Sequence, residues 1–378
     1  MSRHFDCKRK KISVHLTEND NQLGCFREWT DVQNELFDVT IVGGGPAGLY
    51  AAFYSGLREM KTKLIECQPR LGGKLHVYPE KMIWDVGGHV PISGGELIQH
   101  LVAQGLTFNP TVVLNEKVEV VTRDGEGIFV LETASGQKHY TKTVIVAVGS
   151  GIINPKKLPL EGADRFEGLN LHYAVPSIRR FQNKTVLISG GGNSAVDWAI
   201  ELEPVAEKVY VVCRNGSLSA HEAQVTELLN SSVECIFHSK LTKLVAGDDD
   251  SVIERVQLTN LKTGDVFELR IDDVIVHHGY ECDTSLLEKS TLPIRMVDNR
   301  YIAGSASSET SVDGLYAAGD ILQYDGKVNL IAGAFQDAAN AVNKAKQFIQ
   351  PDASPVEMVS SHHSAFKERN RELYGIKN

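Results

Sequence analysis

Two glycine clusters carry the chemistry that can be read from this sequence. The first is Gly43-Gly44-Gly45-Pro46-Ala47-Gly48, a GxGxxG between an apolar run and an Ala-rich stretch. Each residue type meets a physical need. Gly43 makes a tight turn, Gly45 lets a pyrophosphate approach the main chain, and Gly48 lets helix and strand pack closely. The helix N-terminus adds N–H donors and a partial positive charge, with Pro46 and Ala47 in its first turn. Glu66 follows Gly48 by 18 residues, where a carboxylate can accept hydrogen bonds from a ribose diol.

The second cluster is Gly190-Gly191-Gly192-Asn193-Ser194-Ala195, with Ala195 in the third glycine's place. Arg214 follows Ala195 by 19 residues. A guanidinium there can pair with a 2′-phosphate, which points to NADP(H) rather than NAD(H). Two dinucleotide sites imply two dinucleotides. The economical pair is a bound flavin dinucleotide and an exchanging nicotinamide dinucleotide.

These loops need strands before them and helices after them. The pattern predicts a strand over 37–42, a helix over 49–57 and a strand over 62–66, a βαβ unit. A helix over 97–104 and meander strands over 117–122 and 128–133 follow, then a buried strand over 143–148. The grammar repeats with a strand over 185–188, a helix over 194–202, a strand over 209–213, meander strands over 252–258 and 267–271, and a strand over 273–277. A strand over 315–318 and a long helix over 329–348 have no glycine loop of their own. They are expected to complete the first unit. The expected fold is α/β, with two Rossmann-like, three-layer ββα dinucleotide-binding domains, the first discontinuous. The expected division is a flexible N-terminal extension over 1–35, an FAD domain over 36–153 plus 290–378, and an NAD(P)H domain over 154–289. Hinges are expected near 153–170 and 280–295.

Composition narrows the function classes. In 378 residues, 39 Lys and Arg stand against 48 Asp and Glu, a net charge of −9. That disfavours broad nucleic-acid binding. No apolar run is long enough to cross a bilayer, and no signal-peptide pattern opens the chain, so a cytoplasmic protein is expected. The six cysteines, at 7, 25, 67, 213, 235 and 282, form no CxxC. No Cys/His spacing fits a metal site, and neither His277-His278 nor His362-His363 has an evident third ligand.

Further motifs connect these sites to a known group: Leu71-Gly72-Gly73-Lys74-Leu75, Tyr78-Pro79-Glu80-Lys81, Trp84-Asp85-Val86, Ala220-His221-Glu222, Ala317-Ala318-Gly319-Asp320-Ile321 and Gly326-Lys327-Val328-Asn329-Leu330-Ile331. With them the chain resembles the two-dinucleotide flavoproteins related to thioredoxin reductase. It most resembles the bacterial thioredoxin-reductase-like ferredoxin–NADP(+) oxidoreductases. The resemblance runs from about 37 to 366.

It implies FAD contacts at Gly73, Lys74, Leu75, Val118, Gly149, Asp320 and Ile331, with Asp320 on the ribityl chain. It implies Tyr78 stacked on the flavin, and a C-terminal ring over the other face, here His362 with His363 as alternate. The helix near Asn329 would aim its N-terminus at the pyrimidine ring. Thioredoxin reductases carry CxxC before the second glycine loop; this chain has Tyr173-Ala174-Val175-Pro176-Ser177-Ile178. Without a dithiol, electrons must leave the flavin directly, one at a time, to ferredoxin or flavodoxin. Acidic carriers would need basic ground, for which Lys156-Lys157 and Arg179-Arg180 are candidates.

One departure stands out. Relatives carry two adjacent arginines and a third before Ala-His-Glu, whereas this chain has Arg214 with Asn215 and Ser219. NADPH is the expected donor, with NADH open. The alternatives are a reductase of a small disulfide or quinone, and a low-turnover nucleotide-binding redox sensor. Resemblance also implies a homodimer.

Overall fold

The computed structural model describes residues 35–151, 154–175, 177–248, 250–281, 283–356, 366–367, 370–371 and 374–375. The first sheet is built on β1 (Leu36–Val42). Its inward residues Val39 and Ile41 are wholly buried, as expected of a strand covered on both faces. After the Gly43–Gly48 turn comes α1 (Pro46–Leu57), with Pro46 at its start, where the missing N–H costs no hydrogen bond. β2 (Thr62–Ile65) returns parallel to β1, with Val39 opposite Thr62. α2 (Gly94–Gly105) then leads to the edge strand β3 (Thr111–Val113), which pairs with β2.

The meander follows as β4 (Val118–Arg123), β5 (Phe129–Thr133) and β6 (Lys138–Val146). β6 does two jobs. Its first residues pair antiparallel with β5, while Tyr140–Val146 run parallel to β1.

The second sheet is wholly parallel. Its strands are β7 (Leu171–His172), β8 (Thr185–Ser189), β9 (Lys208–Val212), β10 (Glu234–Ile236) and β14 (Asp273–Val276), in spatial order β7-β14-β8-β9-β10. Helices α3 (Asn193–Leu202) and α4 (Glu222–Leu229) connect its central strands. A separate antiparallel sheet holds β11 (Ser239–Ala246), β12 (Ile253–Asn260) and β13 (Val266–Arg270).

This second meander has three strands where two are expected, and it detaches from its parallel sheet. Between β13 and β14, the Asp272 carboxylate accepts from the Thr185 N–H at 2.7 Å.

The chain then returns to the first sheet. β15 (Leu315–Ala317) pairs parallel with the end of β6, beyond the stretch that β5 occupies. α5 (Ile331–Ile349) packs its Ala334, Ala338, Ala341 and Ala345 stripe into the core around α1. Both glycine loops therefore lie at the C-terminal ends of central parallel strands. Ligands bind there in open α/β sheets.

Candidate functional site

The first loop is shaped by close approaches that only glycine permits. Gly43 has φ of +108°, and a Cβ on Gly48 would lie 1.8 Å from the Gly43 carbonyl oxygen. Gly45 and Gly73 face each other, and a Cβ on Gly73 would come within 2.8 Å of the Gly45 Cα. Glu66 is 6% exposed at the end of β2. One carboxylate oxygen accepts from Gly44 N–H at 2.6 Å, the other from Gln68 N–H at 2.8 Å. The carboxylate is thus fixed beside the loop, with lone pairs remaining for a diol.

Asp320 follows β15 in the short turn Gly319–Ile321. A Cβ on Gly319 would meet Ala47 at 3.1 Å, so this turn and α1 are in close contact. Asp320 makes no side-chain hydrogen bond to any described residue, whereas the neighbouring Asp337 is saturated. Asp337 is 0% exposed and accepts from the Gly319 N–H at 3.1 Å, the Tyr324 hydroxyl at 2.9 Å, and Lys327 Nζ in an ion pair. This network fixes the Gly319–Asp320 turn against α5. Its Asp337 is absent from the sequence expectations. The one available signal is a carboxylate three residues from Ala334, on the helix face that the alanines mark as buried.

Tyr78 stands at the junction of the two units, packing against both the first core and the core around α3. Its hydroxyl is pushed up to about 12, first by burial and then by Asp320, Asp85 and Tyr280. The Asp320 charge is thus near enough to act on the Tyr78 hydroxyl. Leu75 is buried and Lys74 exposed just before it. Val118 turns its side chain into the core, so it can offer a ligand only its main chain. Gly149, at φ of +62°, follows β6 in open space, and Ile331 is the first residue of α5. His362 and His363 lie outside the described residues.

The second loop repeats the glycine logic. A Cβ on Gly190 would lie 2.5 Å from the His277 carbonyl oxygen, and one on Gly191 only 2.4 Å from Cys213 Sγ. Ala195, in the third glycine's place, is wholly buried, its methyl packed in the core around α3. Two cavities flank the loop. One, of 150 Å³, is lined by Gly192, Asn193, Ser194, Ala195, Tyr173 and Tyr280. The other, of 290 Å³, is lined by Arg214, Asn215 and Ser219 with the loop and His277–Gly279. Beside Tyr78, Lys81 binds Asp197 of α3 at 2.6 Å, and Glu80 accepts from the Ile178 N–H at 2.9 Å. The anticipated basic ground is partly spoken for: Lys157 pairs with Glu167, and Arg180 donates to the Leu169 carbonyl.

The helix starts differ in cap and charge: α4 has no side-chain cap but carries Glu222 in its first turn. α1, α3 and α5 have no side-chain cap and no acidic residue in the first turn. α2 has a full capping box from Ser93 and Glu96. α1, α3 and α5 leave their N–H donors and positive ends for something outside the chain.

The glycine cradles, the fixed Glu66 and the unpartnered Asp320 fit a dinucleotide on the first unit, and the two cavities fit one on the second. Fold and site together define an α/β oxidoreductase of the two-dinucleotide class. Residues 37–345 match the pyridine nucleotide-disulphide oxidoreductase family, and the chain belongs to it. It is 67% identical over 341 residues to "Ferredoxin--NADP reductase 1" of Bacillus mycoides, covering 90% of this chain and 98% of the relative. It is 63% identical to "Ferredoxin--NADP reductase 2" of Exiguobacterium sibiricum, covering 90% of this chain and 97% of that one. Among solved structures, Lactococcus lactis thioredoxin reductase in its FR conformation superposes with a TM-score of 0.70. The identity is 27%, over 83% of this chain and 99% of that one.

Proposed function

We propose that this chain is a ferredoxin–NADP reductase that uses FAD and NADPH, works in the bacterial cytoplasm as a homodimer, and serves ferredoxin or flavodoxin. The observation that carries the reading is the 67% identity to a protein of that name over 90% of the chain. The sequence adds a second support, since residues 173–178 contain no cysteine to receive electrons. We assign FAD to residues 36–153 plus 290–378 and NADPH to 154–289, with 1–35 as an extension.

Bound FAD supplies the conversion of a two-electron donor into single-electron deliveries. The chain's own residues bind and orient. The N–H groups of Gly43–Gly48 and Gly190–Ala195 hold the pyrophosphates, Glu66 takes the ribose diol, and Asp320 accepts from the ribityl hydroxyls. Tyr78 would cover one face of the flavin ring and exclude water from it. The uncapped start of α5 would supply positive potential to a bound flavin and favour its anionic reduced form. His362, or His363, is assigned to the opposite face.

Steady-state turnover tests the acceptor. Reduction of ferredoxin is expected to exceed that of thioredoxin or small disulfides by orders of magnitude in kcat/KM. Preferential disulfide or quinone reduction would contradict the reading, and negligible turnover with every acceptor would favour a sensor.

A further inference from the structure

The 290 Å³ cavity contains a residue whose place follows from strand register. Ser189 ends β8, paired with Val212 of β9 on one side and Val276 of β14 on the other. Two residues further along each strand stand Arg214, Gly191 and His278. The middle position has no side chain to stand between the outer two, and the Arg214 charge acts on the His278 ring. All three line the cavity, and no carboxylate does. A carboxylate at a strand end is the usual partner of an unphosphorylated ribose; this cavity offers a guanidinium and an imidazole instead.

We propose that His278 is a second 2′-phosphate-binding residue, acting alongside Arg214 where Asn215 and Ser219 supply no charge. The inference rests on the NADPH reading above and deepens it. Ser189 Oγ lies 2.9 Å from His278 Nε2 and accepts from it when the ring is protonated. No described residue hydrogen-bonds Nδ1, which leaves that nitrogen for a phosphate oxygen.

The surroundings set the proton balance. Burial and then Arg214 hold His278 below its ordinary value before a ligand arrives. His277, on the same strand end, is held to about 4 by burial and then by His278, so it stays neutral and is no competitor. Asp197 of α3 acts on His277, and Cys213 and Ser189 complete the surroundings. A phosphate dianion reverses the balance on His278, so binding takes up a proton onto the imidazole. Arg214 binds at every pH, but His278 contributes only while it is protonated.

The test is calorimetry on the flavin-loaded full chain, with 2′,5′-ADP and 5′-AMP as probes. In the unaltered protein at pH 7.0, 2′,5′-ADP is expected to bind with proton uptake, read from the dependence of heat on buffer ionisation. 5′-AMP is expected to show none. H278Q is expected to lose the uptake and weaken 2′,5′-ADP about tenfold at pH 6.5 and less at pH 8, in line with one charged hydrogen bond. Its 5′-AMP affinity should stay the same.

Equal loss for both probes would place His278 on the adenosine and overturn the proposal. So would an unchanged 2′,5′-ADP affinity, or no proton uptake by the unaltered protein, a readout that needs no variant. If the unaltered protein failed to prefer 2′,5′-ADP over 5′-AMP, the NADPH assignment itself would fall.

Discussion

Gly191 shows how closely a single residue type can be tied to a site. A Cβ there would lie 2.4 Å from Cys213 Sγ and 3.3 Å from its Cβ, and both residues line the 290 Å³ cavity. Gly191→Ala must turn the Cys213 thiol aside or shift the loop. It is expected to weaken 2′,5′-ADP by about tenfold, the low end of an overpacking cost, while the flavin spectrum stays intact. Calorimetry on the loaded protein checks this, and an unchanged affinity would contradict it.

Asp337 is the counterpart on the flavin side. It is wholly buried, and the side chain of its partner Lys327 is only 3% exposed. Asp337→Leu would strand a buried ammonium and is expected to cost about 3–5 kcal/mol. Adding Lys327→Met should recover most of that loss in a denaturant titration. A single variant as stable as the parent would show that the pair is not a buried ion pair in solution. The glycines were legible in the sequence because a backbone requirement is written in residue type. Asp337 and His278 were not, because their meaning depends on partners across the fold: Lys327 and Gly319 for one, Arg214 for the other.

Helices and strands differ in how plainly the sequence announces them. The strand–glycine–helix units were legible because buried parallel strands read as unbroken apolar runs. β3 and β11 were not. β3 has three residues at a sheet edge, and β11 places exposed lysines at 240 and 243 among its apolar positions. The capping box of α2 was not read from the sequence either, although Ser93 and Glu96 stand three residues apart. Ser93→Ala removes the α2 cap and is expected to cost about 1 kcal/mol of stability, with nucleotide binding unaffected.

At α3 the outcome should be reversed. Ser194→Asp places a carboxylate in an uncapped first turn, which suits an isolated helix N-terminus but opposes a bound pyrophosphate. It is expected to leave the melting temperature unchanged or raised, and to weaken NADPH by about tenfold. Tight NADPH binding in this variant would mean that the pyrophosphate does not lie on α3.

For the whole molecule, acid stability depends on buried imidazoles. His139 is held to about 4, first by burial and then by the Lys63 charge. Its folded value lies below its unfolded one, so the unfolded chain binds more protons between about 6.5 and 4. The associated stability is complete above that window and is lost as pH falls through it. Denaturant midpoints are expected to drop across this range, with a shallower slope in His139→Asn. Parallel pH profiles for the two proteins would contradict the assignment.

The two units meet at Tyr78 and through the Lys81–Asp197 pair, with a flavin assigned to one side of that junction and a pyridine nucleotide to the other. The central claim is that electrons enter from a pyridine nucleotide and reach a flavin on the first unit. The direct test is an anaerobic titration of the purified protein with NADPH, followed by visible absorption. A yellow protein whose flavin band bleaches with about one equivalent is the predicted result. A colourless protein that takes up no FAD, or a flavin band that NADPH leaves untouched, would contradict it.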